Sequence, residues 1–133
     1  MSQLQQSASS QATGNLNMSI SAEKNGTWQA VCPLEDIWPN TGVCALLGGR
    51  QIAIFRMKDD LLYALDNHDP HSGANVLARG IVGDLGGEPV VASPIYKHHY
   101  RLCTGACVED ADTRLNTYPV ELREGMVWVQ VPA

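Results

Sequence analysis

Charged side chains are scarce in this chain, and no part of it is strongly basic. Of its 133 residues 17% are charged, and nine Lys and Arg face 14 Asp and Glu, so the formal net charge is −5. Binding to nucleic acid or to an anionic membrane surface requires a concentrated positive patch. The scattered basic residues therefore argue against nucleic-acid and membrane partners.

Long apolar runs and nucleotide-binding fingerprints are also missing. No segment approaches the roughly 20 apolar residues that span a bilayer, and the N-terminus lacks the basic start and apolar stretch of a signal peptide. We therefore expect a cytoplasmic protein. No Gly-x-Gly-x-x-Gly occurs, so no flavin or nicotinamide site of that type is predicted. The four cysteines are few for a disulfide-held chain, and we interpret all of them as thiols.

The first 26 residues differ in composition from the rest of the chain. They are rich in Ser, Gln and Asn and show no sustained apolar period, which is typical of a disordered tail. Over residues 27–133, short apolar runs recur between Gly, Pro, Asp and Asn, the pattern of an all-β domain. We therefore predict a disordered tail over 1–26 and one all-β domain over 27–133, with at most short helical turns.

Paired glycines and alternating valines mark individual strands. Gly48-Gly49 lies between two β-rich runs and favours a tight hairpin, because a two-residue turn of that kind needs positive φ angles. Near the C-terminus, Tyr118–Leu122 and Met126–Val131 are each predicted as one strand. The alternate valines of the last run should share one face of the sheet.

Two loops of similar composition carry the residues with most chemistry. One reads Asp69-Pro70-His71-Ser72-Gly73 and the other Ser93-Pro94-Ile95-Tyr96. They resemble the Cys-x-His and Cys-x-x-His loops of the Rieske family, in which two Cys and two His hold a [2Fe–2S] cluster. The resemblance places the four ligand positions of that cluster at Asp69, His71, Ser93 and Tyr96.

Three of these four positions lack a ligand of the Rieske type. Thiolates are soft donors that bind iron, whereas Asp and Ser offer hard oxygens and Tyr a phenol with a pKa near 10. His71 alone cannot hold two irons. We therefore predict no cofactor, no metal and no catalytic residue in this chain. The loops are interpreted as a retained scaffold whose prolines and Gly73 fix the backbone geometry.

Longer segments narrow the resemblance to one branch of Rieske-like proteins. Over nearly all of residues 28–131 the chain resembles the small subunit of NAD(P)H-dependent nitrite reductase, in segments that include TGVCALL, QIAIFR, RGIVGD and PVVASP. This resemblance implies antiparallel sheets or a small barrel with two loop-bearing hairpins. It also implies an accessory, non-catalytic role in the reduction of nitrite to ammonium, beside a large subunit that carries FAD, siroheme and a [4Fe–4S] cluster.

Two other functions remain open from the residues themselves. A Rieske-type electron carrier with an atypically ligated cluster or metal would need Asp69, His71, Ser93 or the cysteines at 103 and 107 as ligands. A zinc site formed by His98 or His99 together with Cys103 and Cys107 is also considered, but it lacks an evident fourth ligand. A free-standing binding module that captures a ligand with its two loops is the remaining hypothesis.

The tips of the two loops are the predicted interface. The Rieske fold would bring them together, and an exposed Tyr96 would be a typical anchor for a protein partner. For His71 a structural role is favoured, with an interface contact second. Asp69 is expected to cap backbone amides rather than to catalyse, and most of the aromatic side chains are expected in the core. The residues assigned to the interface are His71, Tyr96, Lys97 and His98.

Overall fold

The computed structural model describes residues 26–132, and almost all of its regular structure is β. Apart from Gly26, the predicted tail lies outside the described residues. The helices in the described range are two single 3₁₀ turns, Leu34–Asp36 and Leu77–Arg79, and neither is long enough to cross a membrane. The strands, β1 to β12 in chain order, are Thr27–Pro33, Thr41–Leu47, Arg50–Arg56, Leu62–Asp66, His68–Asp69, Ala74–Asn75, Ile81–Leu85, Glu88–Ala92, His99–Arg101, Thr117–Tyr118, Val120–Arg123 and Met126–Val131.

The twelve strands form four antiparallel sheets. A four-stranded sheet has the order β10-β4-β3-β2, and a three-stranded sheet has the order β1-β12-β11. A second three-stranded sheet, β7-β8-β9, and the short pair β5-β6 carry the two loops that resemble the Rieske ligand loops. The all-β, antiparallel prediction is confirmed.

Strand β3 separates two hydrophobic clusters. Ile52 and Ile54 pack into one cluster with the buried valines of β12, whereas Ala53 and Phe55 pack into the other with Tyr100. All four of these β3 side chains are completely buried. Because successive residues of a strand face opposite sides of the sheet, β3 supplies both clusters at once.

The glycine hairpin and the final strand agree with the sequence. Gly48 and Gly49 have φ angles of 57° and 78°, which a hairpin turn of the predicted type requires. The final strand is Met126–Val131, and its three alternate valines are buried on one face.

One strand prediction is wrong. Tyr118–Leu122 is not one strand, because Pro119 has no N–H for a ladder and divides it into β10, which pairs with β4, and β11, which pairs with β12. Among the aromatic side chains, Tyr100 is completely buried, whereas Trp38 is 75% exposed.

Candidate functional site

A buried carboxylate joins the two loops. Asp69, at the end of β5, is completely buried, and its Oδ2 accepts hydrogen bonds from Ser93 Oγ at 2.6 Å and from Ser72 Oγ at 2.9 Å. Its Oδ1 accepts from Tyr100 Oη at 2.8 Å and from the backbone N–H of His71 at 3.1 Å. We call Asp69, His71, Ser72, Ser93 and Tyr100 the carboxylate hub.

The hub stabilises the ionised form of Asp69. Burial raises the pKa of the Asp69 carboxyl, but the hydrogen bonds from Ser93, Tyr100 and Ser72 and from the His71 amide lower it by more, so the pKa lies below its ordinary value. Burial and the hydrogen bond to Asp69 together raise the pKa of Tyr100. The Tyr100 hydroxyl therefore donates its proton to a carboxylate at neutral pH.

Ser93 is the second side of the hub. It is 1% exposed, it begins the second loop, and its own N–H donates to the His98 carbonyl at 2.9 Å, which closes that loop. The Asp69–Ser93 hydrogen bond spans 24 residues of chain. The two positions that correspond to the cysteines of a Rieske loop pair are therefore bonded directly to each other.

His71 extends the hub to a third segment. Its Nδ1 lies 2.7 Å from Tyr100 Oη and its Nε2 lies 3.1 Å from Asp110 Oδ2. Hydrogen bonds from Thr113 and then His71 lower the pKa of Asp110 to about 2. Nothing in the sequence near His71 indicates that its partners are Tyr100 and Asp110.

A ring stack links the two loops a second time. The rings of His71 and His98 are parallel within 3°, and their centroids are 3.8 Å apart. The Nδ1 atom of His98 is buried and has no hydrogen-bond partner among the described residues. The side chain of His71 is 19% exposed, so most of the stack lies beneath the surface.

Tyr96 is the one predicted ligand position outside the hub. It is 71% exposed, and both Tyr96 and the exposed Lys97 adopt left-handed backbone conformations, with φ angles of 62° and 60°. The structure therefore brings Asp69, His71 and Ser93 together and turns the side chain of Tyr96 toward solvent.

The hub does not fit a Rieske cluster. Such a cluster needs two thiolates on one iron, but the two positions hold a carboxylate and a hydroxyl whose oxygens are already 2.6 Å apart. The fourth position, Tyr96, is directed away from the other three. Within residues 26–132, no three His, Cys, Asp or Glu side chains are grouped so that they could hold a metal ion.

The surroundings of Cys103 and Cys107 also differ from those of the zinc site that the sequence suggested as an alternative. His99 pairs with Glu109 rather than with sulfur, Cys103 is exposed, and Cys107 is buried. Burial raises the pKa of the Cys107 thiol, which disfavours the thiolate that zinc binds. All four cysteines are free, as predicted.

Comparisons with known proteins identify the family. The Rieske-like [2Fe–2S] domain family matches residues 27–130. The nitrite reductase (NADH) small subunit of Salmonella typhimurium is 45% identical over 101 residues, which are 75% of this chain and 94% of that protein. The chain belongs to the Rieske-like family of nitrite reductase small subunits.

Segments similar to this chain occur both as separate proteins and within a longer chain. The NMR structure of the E. coli protein NirD has a TM-score of 0.76 to this chain at 39% identity and covers 81% of this chain and 99% of its own. A nitrite reductase (NAD(P)H) large subunit from Klebsiella oxytoca is 49% identical over 102 residues, or 77% of this chain. The chain spans only 11% of the length of that large subunit.

Proposed function

We propose that this chain is the accessory small subunit of a cytoplasmic NAD(P)H-dependent nitrite reductase, which reduces nitrite to ammonium. FAD, siroheme and a [4Fe–4S] cluster would belong to the large subunit, and the small subunit alone would be inactive. The similarity of this chain to nitrite reductase small subunits supports its assignment to that enzyme complex.

The observation that carries the accessory role is the Asp69–Ser93 hydrogen bond. It occupies the positions at which a Rieske domain would bind iron, and it connects the loops without a cofactor. An electron carrier needs a redox centre, whereas a supporting subunit needs a stable surface. The buried hub holds together the two loops that form such a surface, and it offers no thiolate for a redox centre. We therefore propose that the chain carries no iron–sulfur cluster.

The first test is made on the protein purified anaerobically. We expect featureless absorbance above the aromatic band and no stoichiometric iron or zinc. Charge-transfer bands with about two irons per chain would contradict the proposal and support a Rieske-type electron carrier with an atypically ligated cluster.

The second test measures binding to the large subunit and the activity that depends on it. The nitrite reductase large subunit from the same organism should bind the chain, and nitrite-dependent oxidation of NADH or NADPH should depend on their association. The chain without the large subunit should show no such oxidation. Failure of the two proteins to associate would remove the proposed function.

A further inference from the structure

The joined loops present one large aromatic side chain to solvent. We propose that Tyr96 anchors the docking of the nitrite reductase large subunit onto these loops, with Lys97 beside it. This inference rests on the proposed function, because it names the surface through which that partner would be bound.

The support under Tyr96 is rigid. The second loop is closed by the hydrogen bond from Ser93 N–H to the His98 carbonyl, and it is tied to the first loop by the Asp69–Ser93 bond and by the His71–His98 stack. A side chain on such a support loses little freedom when a partner covers it. Exposed aromatic anchors on preorganised surfaces contribute much of the affinity at protein interfaces.

The backbone at this point is held in an unfavourable conformation. Two successive residues that are not glycine, Tyr96 and Lys97, have φ angles near 60°. Glycine would adopt these angles without strain, so the side chains are present despite a conformational cost. Local strain of this kind occurs preferentially at functional sites.

The relatives indicate which protein is the partner of this domain. In the Klebsiella oxytoca relative the matching 102 residues are part of a large-subunit chain, whereas in Salmonella typhimurium the domain is a separate small subunit. A separate chain must replace the covalent connection with a surface, and a stable contact buries about 800 Å² on each partner. The large subunit is therefore the occupant to which we assign the Tyr96 surface.

The test compares Tyr96→Gly with Trp38→Ala in binding to the purified large subunit. Tyr96→Gly removes the aromatic ring and relieves the left-handed strain, so its fold should be at least as stable as that of the unmodified chain. Trp38 is as exposed as Tyr96, at 75% against 71%, but it lies between β1 and β2, outside both loops. We expect the dissociation constant to rise at least about 10-fold for Tyr96→Gly and to stay within about twofold for Trp38→Ala, since surface changes outside an interface have little effect on binding.

The outcomes distinguish a failure of the proposed function from a failure of the proposed docking surface. If the unmodified chain does not bind the large subunit, the proposed function fails. If it binds and Tyr96→Gly binds equally well, the small-subunit function stands and the Tyr96 surface is wrong. A loss of binding in Trp38→Ala alone would place the interface elsewhere and would also overturn the inference. Thermal unfolding of each variant verifies that it is folded.

Discussion

At the scale of single residues, Asp69 has the most consequential environment in the described chain. A buried carboxylate is costly unless it is hydrogen-bonded, and here four donors converge on it. The same donors would be left without an acceptor if the carboxylate were lost. Asp69 should therefore contribute to stability far more than an exposed aspartate does.

Asp69→Asn tests this contribution. The amide replaces one acceptor oxygen with a donor that faces the hydroxyls of the hub, so we expect the free energy of unfolding to fall by about 3 kcal/mol. The matched control is Asp84→Asn, at an exposed aspartate that accepts one turn hydrogen bond from the Gly87 N–H. It should change stability by less than about 0.5 kcal/mol. Urea denaturation at neutral pH measures both, and equal losses would show that the hub does not stabilise the fold.

The acidic residues of the site also predict a dependence of stability on pH. The pKa of Asp69 is below its ordinary value and that of Asp110 is about 2, against an ordinary 3.8. Carboxyls with a lowered folded-state pKa contribute their stability above the unfolded-state pKa and lose it as the pH falls through the folded-state pKa. The urea midpoint should therefore fall between pH 3.8 and about 2, and Asp110→Asn should reduce that fall. If the urea midpoint of Asp110→Asn fell with pH as steeply as that of the unmodified chain, Asp110 would not be a source of the pH dependence.

The sequence identifies some of these residues and misses others for a physical reason. The repeated polar-residue-plus-proline pattern predicts that Asp69 and Ser93 lie on comparable loops, and the structure joins them. The contacts of His71 with Tyr100 and Asp110 are not recognisable from the sequence, because the partners lie 29 and 39 residues away and a local pattern does not show such pairs. The exposure of Trp38 is likewise set by tertiary packing and not by its apolar ring.

At the scale of elements, turns set where strands begin and end. The hairpin glycines are predictable because a two-residue turn requires their conformation. The break at Pro119 is harder to predict, since the flanking residues are favourable in strands and only the sheet pairing shows that they belong to different sheets.

Gly105 offers a sharp test of one turn. Its φ angle is 79°, and a Cβ at this position would overlap the carbonyl oxygen of Leu115, which is backbone and cannot move aside easily. Gly105→Ala should therefore cost about 3 kcal/mol of stability, from left-handed strain and overlap together. Gly125 has a similar φ angle of 81°, and a Cβ there would meet no atom within 4 Å. Gly125→Ala should cost only about 1 kcal/mol, and similar losses of unfolding free energy for the two variants in urea would show that overlap is unimportant.

At the scale of the whole molecule, β3 couples two clusters that lie on opposite faces of its sheet. Ile54 faces one cluster and Phe55, the next residue, faces the other. Truncation of either side chain should lower the stability of the whole described domain, because the same strand supports both clusters. The domain should accordingly unfold in one cooperative transition.

Phe55→Ala tests this coupling. The truncation should lower the free energy of unfolding by about 3–5 kcal/mol, while Leu46→Ala, at a position 72% exposed on β2, should change it by less than about 0.5 kcal/mol. Tryptophan fluorescence reports on Trp28 and Trp128 in the sheet of β1 and β12 and on the exposed Trp38. Far-ultraviolet circular dichroism reports on all strands. The two signals should share one midpoint in Phe55→Ala. Separate midpoints would show that the clusters unfold independently.

The Asp69–Ser93 bond has a consequence for how the protein matures. Both of its partners are encoded in the chain, so the two loops are joined in the same step in which the domain folds. On the proposal that this chain carries no cluster, the loop pair would require no insertion machinery and no supply of iron, and it would hold no sulfur bridge for dioxygen to attack. The newly made subunit would therefore be ready for assembly at once, under iron starvation as well as in plenty.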